Sequence, residues 1–509
     1  MNKRGRPLVT ASIVLGLAWP AFGTCPDTRF AQQDVFPAEG IVEGIAVSDF
    51  DRDGHLDLAV TQFSAAGAAG NGVAILLGDG NGGFGAPSRF EVGRGATRIV
   101  AADFNADGDT DVAVLNSNSG TVSILLGDGH GSLGPQTTLP VGGTPIGLAL
   151  GDFDGDGKAD LVVTELFEAQ VKVMLGRGDG SFSEPASFPV GQQPLLVATG
   201  DVDADGRLDL AVGNALDGTV SLLLGRGDGT FAPQVTVPLP SGSTPEGLAI
   251  ADLDGDRVAD LAVLDASHDN VVVLPGRGDG SFGAQAVFTV GRLPVFLAVG
   301  DVSGDGRPDL AAANVNDGTV SVLVGRGDGT FASQTVFPTG SEPLPLAMAD
   351  LDGDGALDIV TGNAGDQTVS ILMNTSVRDT AAPEIDSITA RPEALSPTRP
   401  GFVSVSITAV ATDACDPAPR CEIVSVTSDP AAPGGGRRTG RVDFILSDPG
   451  PKASPAGLGL LLRAAGPARI YRIDISCADA AGNAVTDRTV VTVTSPPGHP
   501  PRSLRSPRF

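Results

Sequence analysis

Seven copies of one nine-residue stretch constrain this chain more than any other feature. The third copy, Asp152-Phe153-Asp154-Gly155-Asp156-Gly157-Lys158-Ala159-Asp160, shows the pattern: oxygen-bearing side chains at positions 1, 3, 5 and 9 and glycine at position 6. The copies begin at Asp49, Asp103, Asp152, Asp201, Asp252, Asp301 and Asp350, spaced at about fifty residues. A motif returning at that interval belongs to a repeated structural unit, each copy packing against its neighbours.

The four oxygen positions are Asp49, Asp51, Asp53 and Asp57 in the first loop and Asp103, Asn105, Asp107 and Asp111 in the second. The third has Asp152, Asp154, Asp156 and Asp160, and the fourth Asp201, Asp203, Asp205 and Asp209. The fifth has Asp252, Asp254, Asp256 and Asp260, the sixth Asp301, Ser303, Asp305 and Asp309, and the seventh Asp350, Asp352, Asp354 and Asp358. Bare carboxylates this close repel one another. A hard cation removes the conflict, and Ca²⁺ accepts six to eight oxygens in irregular geometry. Up to seven calcium ions are therefore expected, and they would offset about half of the net charge of −28. An EF-hand is excluded, because it needs glutamate at position 12 and flanking helices. Position 12 here is Val60, Val114, Val163, Val212, Val263, Ala312 or Thr361. Position 9 is expected to close the shell instead.

Glycine at position 6 lets the chain turn with positive φ. Only the fifth loop departs, with Arg257. Arginine there adds strain on the order of 1 kcal/mol and sets a cation beside the ion, so the fifth site is expected to be the weakest. Asn105 and Ser303 keep an oxygen and lose a charge, which lowers affinity modestly.

Each unit carries short apolar runs separated by Gly, Asp and Asn. In the fourth these are Leu195–Ala198, Leu208–Val212 and Thr219–Leu224, followed by the turn Gly225-Arg226-Gly227-Asp228-Gly229-Thr230-Phe231. Runs of this length and composition are strands. Four antiparallel strands per fifty residues describe a propeller blade, although a solenoid shares the period. Seven units match a closed ring, which protects its sheet edges. The seventh unit stops after its third run, Thr368–Met373. Phe30-Ala31-Gln32-Gln33-Asp34-Val35-Phe36-Pro37 is similar to Phe331-Ala332-Ser333-Gln334-Thr335-Val336-Phe337-Pro338, so residues 30–37 are expected to supply the missing strand. The fold class expected is all-β: a seven-bladed β-propeller over residues 30–375, a linker at 376–383, and an immunoglobulin-like β-sandwich over 384–495. Residues 496–509 read as a disordered tail. Residues 1–23 read as a secretory signal, with Lys3, Arg4 and Arg6 before an apolar run and Ala21-Phe22-Gly23 at its end. The mature chain is expected to be secreted, with no membrane span.

Residues 30–375 resemble the FG-GAP/VCBS repeats of integrin-α-type seven-bladed propellers. The resemblance implies calcium held between the first and second strands of each blade and a role in recognition or adhesion. The C-terminal region, through Asp413-Ala414-Cys415-Asp416 and Tyr471–Asn483, resembles bacterial immunoglobulin-like modules of the hyalin-repeat kind, which implies a spacer or stalk. The four cysteines, Cys25, Cys415, Cys421 and Cys477, allow three pairings. Cys421 with Cys477 is favoured, as a link between two sheets.

Several chemistries find no support. The acidic balance argues against nucleic acid and anionic membranes. The histidines His55, His130, His268 and His499 are scattered, and no nucleophile elbow or phosphate loop occurs. No catalytic residues are assigned, and the chain reads as a non-enzyme. A lectin is an alternative, although Trp19 and Tyr471 are the only Trp and Tyr. A carboxylate-dependent hydrolase or lyase at the ring centre is another. Arg-Gly-Asp occurs at Arg177, Arg226, Arg277 and Arg326, always in the repeat turn, where Gly and Asp serve hairpin geometry. A protein or glycan ligand is expected on the face opposite the calcium loops, where the loops vary most: Gln62–Gly72, Asn116–Gly120, Glu165–Gln170, Asn214–Gly218, Asp265–Asn270, Asn314–Gly318 and Asn363–Gln367.

Overall fold

The structure is a computed structural model of the 509-residue chain. It describes residues 29–31, 34–63, 71–376, 382–395, 402–412, 419–428, 444–446, 452–453, 456–463, 469–479 and 483–493. The expected signal, Cys25, Cys415, residues 64–70 of the first variable loop, most of the linker and the tail lie outside these residues. The regular structure described is entirely β, and no helix among the described residues is long and apolar enough to cross a membrane. The chain divides into two compact units, one ending at Arg378 and the other beginning its main segment at Asp379.

The first unit is a seven-bladed propeller. In the third blade, Pro145–Gly151, Asp160–Glu165, Gln170–Met174 and Ala186–Pro189 pair antiparallel in chain order. Six such sheets follow one another, and the seventh combines both ends of the repeat array. The first strands are Ile45–Ser48, Ala96–Ala102, Pro145–Gly151, Pro194–Gly200, Pro245–Ala251, Pro294–Gly300 and Pro343–Ala349. Each packs against the next, and the last packs against the first, which closes the ring.

The second strands are buried at every residue. Neighbouring blades cover both of their faces, which explains their near-continuous apolar runs. The core is therefore a set of inter-blade layers. Phe153, Val162 and Val173 of the third blade pack with Leu210, Leu223 and Phe231 of the fourth. Leu58, Val60 and Leu76 of the first blade pack likewise with Val360, Val369 and Ile371 of the seventh.

The closing strand is where the repeat comparison places it. Asp34–Pro37 pairs antiparallel with Thr368–Leu372, with Asp34 opposite Ile371 and Pro37 opposite Thr368. Phe30 bridges to Asn374 and lies edge-on to Phe337 at 4.8 Å. Phe36 meets Phe84 of the first blade at 5.4 Å.

On the face with the variable loops, each second strand ends on a buried polar residue: Gln62, Asn116, Glu165, Asn214, Asp265, Asn314 or Asn363. In four blades this is asparagine with a recurring network. Asn116 Nδ2 donates to Thr121 Oγ1 at 3.1 Å and Ser123 Oγ at 2.8 Å, and Asn214, Asn314 and Asn363 do the same. A buried amide must find such partners. The third blade substitutes an ion pair: Glu165, fully buried, lies 3.5 Å from the ammonium of Lys172. Burial pushes the Glu165 carboxyl up to about 7, although Lys172 pulls it down. The folded state thus holds a proton that the unfolded chain releases in the ordinary range near 4.5. This contribution to stability is complete below that range and is lost as pH rises to about 7. Glu165→Gln is expected to flatten that slope, by up to about 1.4 kcal/mol per pH unit, as read by urea unfolding across the window.

The second unit is a β-sandwich. One sheet orders Glu384–Arg391, Phe402–Thr412, Ala456–Arg463 and Phe444–Leu446. The other orders Ala394–Leu395, Ala484–Val493, Arg469–Ala478, Arg420–Ser428 and Lys452–Ala453. Val405, Ile407, Leu460, Tyr471, Ile473 and Ile475 fill the space between them. Cys421 and Cys477 form a disulfide. It does not join the two sheets as expected. The cysteines stand opposite one another on adjacent antiparallel strands of one sheet. Alternation explains this: both side chains point to the same inner face, so the nearest thiol is across the strand pair.

Candidate metal centres

Each nonapeptide forms a turn between the first and second strands of its blade, and its geometry follows from its side chains accepting its own backbone N–H groups. The position 1 carboxylate reaches forward: Asp152 Oδ2 accepts from Gly157 N at 2.9 Å, and Asp152 Oδ1 accepts from Gly155 N at 2.8 Å. The Oδ2 bond recurs in all seven loops. The position 3 oxygen accepts from position 5, as Asp154 Oδ1 does from Asp156 N at 3.2 Å. The position 5 oxygen accepts from position 7, as Asp156 Oδ1 does from Lys158 N at 3.0 Å. These are turns in which an aspartate replaces a backbone carbonyl.

Position 6 has positive φ throughout, from 72° at Arg257 to 90° at Gly54. Arg257 alone holds this conformation with a side chain. Arg257→Gly is expected to raise stability in chelator by about 0.5–1 kcal/mol, less whatever the looser unfolded chain takes back. Calcium affinity at the fifth loop should rise with removal of the cation, as read by titration. Position 4 is also left-handed, with Arg52, Ala106 and Ala204 in the first, second and fourth loops. Sequence reading passed over this position, though Gly155, Gly255, Gly304 and Gly353 there were a signal.

Position 9 is more than a closing ligand. Asp160 is buried, and its two oxygens accept from Phe153 N at 2.8 Å and Gly176 N at 2.7 Å. Asp57, Asp111, Asp209 and Asp260 bracket their loops and third-to-fourth-strand turns in the same way, and Asp309 does so with Ser303 N, one position later in its loop, and Gly325 N. In the last blade Asp358 receives Asn374 N instead of glycine. Elsewhere the turn glycine is obligatory: a Cβ on Gly176 would stand 2.2 Å from the Ala159 carbonyl oxygen. The loops also join blades. Gly180 N donates to Phe104 O and Gly229 N to Phe153 O, each from one blade to the loop of the blade before it.

In five loops, three carboxylates bring one oxygen each within 4.8 Å of one another. The groups are Asp49, Asp51 and Asp53; Asp152, Asp154 and Asp160; Asp201, Asp203 and Asp209; Asp252, Asp254 and Asp260; and Asp350, Asp352 and Asp358. Position 5 joins only in the first. In the third loop Asp156 pairs with Lys158 Nζ at 2.5 Å, and in the fourth Asp205 pairs with Arg207 at 2.8 Å. The second and sixth loops form no such group among the described residues. Asn105 Nδ2 donates to Asp107 Oδ2 at 2.7 Å, and Ser303 Oγ donates to Asp301 Oδ1 at 3.3 Å. A neutral donor there occupies oxygens that a cation would otherwise engage.

The electrostatics match an uncompensated cation site. Burial, against the opposing pull of two backbone N–H groups and with neighbouring aspartates adding to it, pushes Asp160, Asp209 and Asp358 up to about 6 and Asp309 up to about 7. Asp49 Oδ1, Asp203 Oδ1 and Asp350 Oδ1 are buried and have no hydrogen-bond partner among the described residues. Acceptors of this kind, on residues that belong to carboxylate groups, fit a hard divalent cation. When bound, calcium would supply charge compensation to position 1 and position 3 oxygens, with position 9 beside them in four loops.

The Arg-Gly-Asp turns lie on this same face, next to the calcium loops. Their aspartates cap the turns themselves: Asp179 Oδ1 accepts from Ser181 N and Oγ, and Asp228 and Asp328 from Thr230 and Thr330. Arg326 Nη1 folds back onto the Phe331 carbonyl at 2.6 Å. Phe182 and Phe231, which end two of the turns, insert between blades against Phe104 and Phe153.

A family model described as FG-GAP-like repeat matches residues 49–114, 103–163, 166–212, 201–263 and 301–361, together more than half of the chain. All seven loops fall within those spans. Among solved structures, one crystal structure of a protein from Lactobacillus plantarum is 15% identical with a TM-score of 0.47, covering 60% of this chain and 86% of that one. No curated protein matches.

Proposed function

The chain belongs to the FG-GAP-like repeat family, and from that premise we propose that it is a secreted, calcium-stabilised recognition or adhesion protein. Calcium is structural in this reading, with up to seven ions and the fifth loop, marked by Arg257, binding most weakly. The C-terminal sandwich acts as an immunoglobulin-like spacer. Its extracellular partner, a protein or a glycan, binds the face opposite the calcium loops.

One observation carries this reading. On the calcium face, position 1 and position 9 carboxylates are committed to backbone N–H groups, which is work for a brace. On the opposite face, Phe167 and Leu216 are 72% and 65% exposed at equivalent tips of adjacent third and fourth blades. Large apolar side chains kept in solvent at neighbouring loop tips are a feature of binding surfaces. Glu168 and Asp217 follow them and place an acidic residue beside each.

The test probes arrays of extracellular proteins and glycans with the calcium-loaded chain. Binding should weaken at least about tenfold in Phe167→Ser plus Leu216→Ser, in line with loss of a small apolar hot spot. It should persist when Asp179, Asp228, Asp279 and Asp328 are all changed to Ala. The reverse pattern would move recognition to the calcium face and defeat the reading.

A further inference from the structure

The propeller axis holds a cavity of about 180 Å³ with contributions from all seven blades. One position per blade supplies an aliphatic side chain throughout, from Ile45 in the first blade to Leu346 in the seventh. The position before it is glycine in three blades, at Gly44, Gly147 and Gly247, and each packs closely against the backbone of the next blade. Against this apolar belt one charged residue lines the cavity, Arg98 on the first strand of the second blade.

Arg98 is poorly matched by its surroundings. Its guanidinium lies over the Phe296 ring of the sixth blade, 4.6 Å from the centroid. Nη1 donates to the backbone carbonyls of Glu43 at 2.9 Å and Thr97 at 3.3 Å. Nε is buried and has no acceptor. Among the described residues no carboxylate comes within ion-pair distance, 4.0 Å, of this guanidinium. Two carboxylates belong to residues directly preceding the cavity lining, Glu43 before Gly44 in the first blade and Glu246 before Gly247 in the fifth; both are half-buried and both attract the Arg98 charge. Burial pushes both carboxyls up, and the Arg98 charge draws them back. A guanidinium held in an apolar channel favours a bidentate carboxylate partner. Carboxylates held beside it without a hydrogen-bonded cation favour an ammonium group.

We propose that the axial cavity binds a small zwitterion with an aliphatic body, an α-amino acid of the leucine class. Its carboxylate pairs with the Arg98 guanidinium, its ammonium faces Glu43 and Glu246, and its side chain lies on the aliphatic belt. The volume suits this: it equals on the order of six waters of liquid volume, about the bulk of one such molecule. The site is independent of the surface reading above, since it uses neither the loop tips nor the calcium loops.

Titration calorimetry of the full calcium-loaded chain with L-leucine tests it. One molecule should bind with a Kd of about 1 mM or tighter. Leucinamide, which lacks the carboxylate, and 4-methylpentanoate, which lacks the ammonium, should each bind at least about tenfold more weakly. Arg98→Leu should abolish binding, and Glu43→Gln plus Glu246→Gln should weaken it. If Arg98→Leu fails to fold, Arg98→Lys keeps the charge and should still lose affinity, since the planar fork is gone. No saturable heat with L-leucine on the unaltered chain overturns the proposal. So does unchanged affinity in either Arg98 variant, or 4-methylpentanoate binding as tightly as leucine.

Discussion

Deleting residues 29–37 is expected to open the ring and to lower stability by roughly 5 kcal/mol or more. The deletion removes a four-residue strand and its register with Thr368–Leu372. It also removes Phe30 from Phe337 of the sixth blade and Phe36 from Phe84 of the first, so contacts of the seventh blade with both of its neighbours are lost together. The bared edge of Thr368–Leu372 becomes a template for a second chain, so dimers or aggregates should accompany the loss. Denaturant unfolding with size-exclusion chromatography reads both effects. Phe30→Ala plus Phe36→Ala keeps the strand and should cost less, about 2–4 kcal/mol, because both rings are only partly buried. A deletion variant that unfolds at the same denaturant concentration as the full chain would mean that the ring is held shut elsewhere.

Asp160→Ala is expected to cost about 3–5 kcal/mol even in chelator. The carboxylate is buried and receives two backbone N–H groups, from Phe153 in its own loop and Gly176 in the adjoining turn. Both donors would be left without an acceptor in the interior. Asp156→Ala is the contrast. Asp156 is exposed and pairs with Lys158, so in chelator the change should be nearly neutral. Unfolding of the two variants without calcium separates a buried bracing carboxylate from an exposed one. Equal behaviour would refute the division of roles between positions 9 and 5.

Much of this architecture was legible in the sequence because repeats report register. Seven nonapeptides at one spacing located the blade hairpins, and the similarity of Phe30–Pro37 to Phe331–Pro338 located the closing strand. Glycine at position 6 reported the backbone, and Arg257 has the positive φ that glycine has elsewhere. Depth and partner choice were less legible. An aspartate at position 9 looks the same on paper whether it faces an ion or two buried N–H groups. The Asn116, Thr121 and Ser123 network was hidden because its members are separated by a turn and each alone is an ordinary polar residue. Cys421 and Cys477 were matched correctly but assigned to two sheets, since strand order within the sandwich is not written in spacing. Arg98 stood unremarked because a single residue that breaks a repeat has no second copy to mark it, and only the closed ring puts Phe296 and Glu246 near it.

Calcium titration of chelator-stripped protein, followed by calorimetry and thermal unfolding together, tests the structural role of the loops most directly. Several ions should bind, up to seven, with the second, fifth and sixth loops filling after the others. Each site held at a hundredfold excess over its Kd adds about 2.7 kcal/mol to the native state, so the Tm should climb steeply with occupancy and fall on chelation. A Tm unmoved by chelator, or a chain that takes up no calcium, would contradict a calcium-braced propeller.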